Sequence, residues 1–133
     1  MIATQRDVRP PMELPEDKPD FLNNREWYVA QHRLGPLDDR LTHQRIAEVI
    51  AEREGIDVPS REYIRQLEEL VVEKLTRPDI AGFDGYVRNA LYEYGYRTAE
   101  ALRRATDTEI LDIPRLGPAA LRQIRARYPY TGA

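Results

Sequence analysis

A chain of 133 residues with 20 Lys and Arg against 23 Asp and Glu, a net charge of −3 and 41% hydrophobic residues has room for one ordinary soluble domain or two very small ones. It contains no cysteine, which excludes disulfides, thiolate catalysis and cysteine-ligated zinc. Its apolar runs are too short for a transmembrane helix and its first residues lack the basic-then-apolar order of a secretory signal, so no membrane partner is expected and the setting is expected to be cytoplasmic or within a virion.

Residues 1–19 include Pro10, Pro11, Pro15 and Pro19 and few large apolar groups, the composition of an extended Pro-rich arm. Such a segment buries too little to order itself; it is either a disordered tail or is held by a partner surface or a neighbouring copy. A first helix is expected over residues 20–34, capped by Asp20, with Phe21, Leu22, Trp27, Tyr28 and Val29 supplying bulk and Gly35-Pro36 stopping it. A second is expected over residues 42–54, with Thr42 as N-cap, Ile46, Val49 and Ile50 on one face and Gly55 as the C-terminal stop. A third follows over residues 60–76, with Ile64, Leu67, Val71 and Leu75 as its inner stripe. The two helices around Gly55 loosely echo a helix-turn-helix. Their connection is too long for that motif, and Glu62, Glu68 and Glu69 would oppose phosphate, so a plain helical hairpin is the better reading.

Beyond Pro78 the pattern tightens. Asp84 is placed to cap a helix through Tyr94, with Val87, Leu91 and Tyr94 inward and Gly95 closing it. Thr98 caps a short helix containing Leu102, and Thr106-Asp107-Thr108-Glu109 spells a capping box ahead of Ile110, Leu111 and Ile113. After Ile113-Pro114-Arg115-Leu116-Gly117-Pro118 a last helix runs to Tyr128, with Leu121 and Ile124 inward. Glycine at 117 lets a tight bend approach another surface without a clashing Cβ, and Pro118 suits a first helical position. The amides at that helix start, backed by the helix dipole, are a ready phosphate site.

The charge is unevenly spread. The acid excess lies before residue 85, whereas residues 113–133 hold Arg115, Arg122, Arg125 and Arg127 and no acidic residue. Arginines near an open helix start can neutralise phosphates and release counterions, and nothing beside them resembles a base-reading set.

The run NALYEYGYRTAEALRRATDTEILDIPRLGPAALRQIR, with Asn89, Leu91, Leu102, Leu111, Leu116, Gly117, Leu121 and Ile124 at matching positions, resembles the C-terminal domain of the bacterial RNA polymerase alpha subunit, a five-helix relative of helix-hairpin-helix folds. The resemblance covers about the last fifty residues. It implies a five-helix helix-hairpin-helix domain (79–133), which, with the extended arm (1–19) and the helical hairpin region (20–78) read from composition and spacing, makes an all-α protein. It also implies DNA contact through Asn89 and Gly117. Departures are Tyr86 and Tyr92, where the family carries Arg and Lys, Ala119 and Ala120 in place of Lys and Ser, and Arg115 where wider helix-hairpin-helix proteins have a first glycine. Arg88 is placed to compensate.

Catalysis is not expected. His32 and His43 are isolated, Asp38-Asp39 suit a cap, and there is no metal-ligand spacing, phosphate loop or nucleophile elbow, so neither metal nor cofactor is expected. The expected function is non-enzymatic and largely sequence-independent binding of duplex-DNA backbone by Arg88, Asn89, Arg115, Gly117, Arg122 and Arg125. The alternative is a structural protein of a phage head or neck, using the same fold, with residues 1–78 engaging a protein partner or further copies of the chain.

Overall fold

The computed structural model describes residues 9–132, and these form seven α-helices and one 3-10 turn with no strand. The all-α expectation holds. The chain divides into two compact units, Met1–Glu73 and Lys74–Ala133, each with its own hydrophobic core. The first part of the expected arm, residues 1–8, lies outside the described residues.

In the first unit, α1 (Asn24–Arg33), α2 (His43–Glu54) and most of α3 (Arg61–Thr76) surround Tyr28, Val29, Ile46, Ala47, Ile50, Ile64 and Leu67. The cap of α1 is Asn23 and not Asp20. Asn23 accepts from the Glu26 amide at 2.8 Å and the Glu26 carboxylate accepts from the Asn23 amide at 2.8 Å, a reciprocal pair Asp20 is too far upstream to make. Thr42 caps α2 as expected, and Gly55 ends it in the left-handed conformation at φ 66°. Trp27 is half-buried on α1, in a groove it shares with Tyr28, Ile50 and Arg53. The described part of the arm is held by its own unit: the Met12 amide donates to Leu34 O at 2.8 Å, and Arg9 bridges Glu68 (3.2 Å) and Glu69 (2.6 Å) on α3.

Glu68 itself is buried at 4% exposure. Its carboxylate also accepts from Arg33 Nε at 2.6 Å and meets His43 Nε2 at 3.0 Å, so the arm, α1 and the start of α2 converge on one acid. His43 is therefore not isolated. A carboxylate at this depth needs such partners, since an uncompensated buried charge is strongly destabilising.

The second unit contains α4 (Gly85–Glu93), α5 (Ala99–Arg104), α6 (Asp107–Leu111) and α7 (Pro118–Arg127). Where the resemblance implies five helices, these four are preceded by successive turns over residues 78–83, closed by i to i+3 bonds such as Ile80 N to Arg77 O at 3.3 Å. Pro78 and Gly82 at either end disfavour a longer helix. The core is built from Ile80, Phe83, Val87, Leu91, Leu102, Ile110, Ile113, Leu116, Ile124 and Tyr128, with Tyr92 and Tyr96 packed at its margin. Tyr94 and Leu111, expected inward, are 51% and 41% exposed. Each stands at the end of a short helix, where the one buried stripe has run out. Tyr128 pins the end of α7, its hydroxyl donating to Asp79 O at 2.7 Å while its ring meets Phe83 edge-on.

Candidate nucleic-acid interface

The connection from α6 to α7 follows from a few local bonds. Thr106 and Glu109 make the expected capping box at the start of α6. After α6, the Leu116 amide donates back to Ile113 O at 3.2 Å, closing a four-residue turn with Pro114 second and Arg115 third. Arg115 has φ 75°, the only positive value at a non-glycine residue among those described. Proline second and a left-handed third residue are the marks of a type II turn, whose third place normally takes glycine.

Gly117 plays a different part from the expected one. Its backbone is extended (φ −119°, ψ −167°), so the turn does not need it, and a Cβ built there meets nothing within 4 Å. The missing side chain leaves room outside the fold, not within it. Gly117 is the N-cap of α7, with Pro118 at the first helical position and no side chain capping the end. Pro114, Arg115, Pro118 and Ala119 are all exposed, so the bend is open to solvent. The first amides of α7 have no intrahelical acceptor and sit at the positive end of the helix dipole.

The six candidate residues separate into two groups. Among the described residues, Arg115 and Arg122 are exposed and have no carboxylate partner, and Asn89 is exposed on α4 without a side-chain hydrogen bond. With Gly117 they remain candidates for contact. Arg88 and Arg125 do not. Arg88 is 9% exposed, with Nη1 donating to Phe83 O at 3.1 Å. Arg125 donates from Nε to Asp107 at 2.7 Å, from Nη1 to Leu102 O at 2.7 Å and Tyr128 O at 3.2 Å, and from Nη2 to Ala105 O. It ties the end of α5 and the start of α6 to α7, and so holds the two arms of the bend at their angle. Its charge is compensated by Asp107 and its fork is occupied. Arg127 is exposed, with its Nε donating to the Tyr128 hydroxyl at 3.0 Å.

No group of three or more metal-ligating side chains occurs among the described residues, and no described helix is long and apolar enough to cross a membrane. No family model matches the chain, and neither a curated protein nor a solved structure matches it.

Proposed function

We propose that the second unit is a non-enzymatic module that holds the backbone of duplex DNA at the bend between α6 and α7, with little preference for sequence. Backbone amides at the start of α7 receive a phosphate, Arg115 and Arg122 add charge on either side, and Asn89 extends the contact along α4. The observation that carries this reading is Gly117. A glycine whose backbone is ordinary and whose missing Cβ faces empty space is required neither by the turn nor by packing, although it suits the N-cap it occupies. Its bare surface permits close approach by an external backbone. Arg115 points the same way, since holding it in a left-handed conformation costs about 1 kcal/mol that glycine would avoid.

The discriminating experiment is Gly117→Ala in the full chain. Alanine fits the backbone without strain but is a poorer N-cap than glycine, so thermal stability should change little, falling by no more than about 1 kcal/mol. Binding to a fluorescein-labelled duplex at low salt should nevertheless weaken several-fold. Arg115→Gln and Arg122→Gln should each weaken binding across unrelated sequences and lower the salt slope by about one. Wild-type protein that leaves the duplex free at low salt would sink the proposal.

A second reading, an assembly protein, draws on the first unit, where Leu37, Ile56 and Val58 are about half exposed. Exposed apolar side chains of this kind suit a protein partner or another copy of the chain. The arm is weaker support, because its described part is bonded to its own unit.

A further inference from the structure

In the first unit, the described arm docks at the carboxyl end of α1, where the Met12 amide donates to Leu34 O at 2.8 Å. Pro10, Pro11 and Pro15 have no amide to add, and they and Glu13 are exposed, while Met12 and Leu14 are half-buried. The arm's hold therefore depends heavily on Arg9, whose Nε reaches Glu68 at 3.2 Å and whose Nη2 reaches Glu69 at 2.6 Å. Arg40 stands beside this docking point. Its Nε donates at 3.1 Å to Gly35 O, the carbonyl next to the one that receives Met12. Arg33 is close as well, with Nη1 on the carbonyl of Leu41, the residue after Arg40, at 3.0 Å and Nε on Glu68 Oε1 at 2.6 Å.

The cations in this cluster outnumber the acids. Glu68 Oε1 serves Arg33 and His43, Oε2 serves Arg9, and Glu69 is exposed and meets Arg9. Arg40 comes last to a carboxylate whose two oxygens are taken. Its Nη2 is buried and has no hydrogen-bond partner among the described residues. Burial and the charge of Arg33 pull the Arg40 pKa below its ordinary value, and Glu68 offsets this only in part because Arg9 adds to it. A guanidinium keeps its charge at neutral pH all the same. Arg40 thus repels the arginine that anchors the arm while drawing on the same acid.

We infer that residues 9–14 form a strap that opens without unfolding the first unit, and that Arg40 is the residue that keeps its latch weak. With the strap closed, Arg9 sits among like charges and Arg40 holds a buried N–H with no acceptor, and both conditions raise the free energy of the closed state. With the strap open, Glu68 Oε2 is released and Arg33 and Arg40 lose a like-charged neighbour. The buried acid is not stranded, because Arg33 and His43 stay on Oε1. Opening is therefore opposed by less than two ion pairs and a backbone hydrogen bond would suggest. The inference stands on the first unit alone and is independent of the duplex reading.

Amide hydrogen exchange of the full chain in dilute urea tests it. The wild-type Met12 amide should exchange through a local opening insensitive to urea, and faster than the Val71 amide within α3, whose rate should rise with urea. Measured against Val71 in the same sample, Arg9→Gln should speed Met12 exchange about ten-fold. Arg40→Met should slow it about five-fold, although Arg40 makes no hydrogen bond to the arm among the described residues. Arg40→Lys keeps the charge and should leave Met12 near its wild-type rate, which separates repulsion from loss of the Gly35 contact. Met12 exchange that is unchanged or faster in Arg40→Met, or slowed equally in Arg40→Lys, overturns the role of Arg40. A wild-type Met12 amide that exchanges only together with Val71 overturns the strap itself.

Discussion

Arg115 and Gly117 stand two residues apart, and each occupies the place where the other's chemistry would be expected. The turn asks for a residue tolerant of positive φ and has an arginine; the extended backbone at 117 has room for a side chain and has none. Arg115→Gly should therefore raise stability by about 1 kcal/mol in urea unfolding while weakening duplex binding, a division that a purely structural arginine would not produce. Arg125 makes the opposite case. Its replacement by Ala strips charge-assisted bonds from the Leu102, Ala105 and Tyr128 carbonyls and should cost about 2 kcal/mol or more in the same assay. Four arginines in an acid-free segment look alike as letters. Their fates differ because Asp107 and three main-chain carbonyls claim Arg125 and the neighbouring Tyr128 hydroxyl holds Arg127, whereas no carboxylate among the described residues claims Arg115 or Arg122.

At the scale of elements, features decided within four residues were legible. The Thr106–Glu109 box, the Thr42 and Thr98 caps and the Gly55 stop all form where side-chain chemistry and spacing place them. The start of α1 is harder to read because several capping residues compete there, and the reciprocal bond to Glu26 decides for Asn23. Asn23→Ala should accordingly cost about 1 kcal/mol, whereas Asp20→Ala should leave the thermal midpoint nearly unchanged. Within the candidate interface, the open bend and its exposed arginines could be read from the Gly-Pro pair and the charge pattern. The turn type could not, since nothing local announces an arginine at φ 75°.

For the molecule as a whole, Glu68 is a buried acid whose ionisation bears on stability. Burial raises its pKa, but the hydrogen bond and charge of Arg33, with help from His43 and Arg9, outweigh that and hold it below the usual 4.5. In the interval between its folded pKa and 4.5 the unfolded chain binds more protons, so stability rises with pH there and falls as acid protonates the folded carboxylate. His32 acts in the same direction at milder pH. Burial, then Arg53, lowers its pKa below 6.5, so folding is progressively opposed as pH drops beneath that value. Glu68→Gln should lower the thermal midpoint at neutral pH, by an amount equivalent to about 3 kcal/mol, and flatten the acid limb of the profile below pH 4.5. An unchanged limb would place the acid sensitivity elsewhere.

Trp27, the sole tryptophan, lies in the first unit in its groove beside Tyr28. Its emission is thus a natural reporter for one half of the chain and silent about the half proposed to meet DNA. Excited at 295 nm, the protein should show a fluorescence transition governed by the first core alone, while tyrosine absorbance and far-ultraviolet dichroism register both, so differing midpoints would reveal two units that melt apart. The same blindness makes Trp27 a useful internal reference: duplex added to the native chain should leave its spectrum where it was.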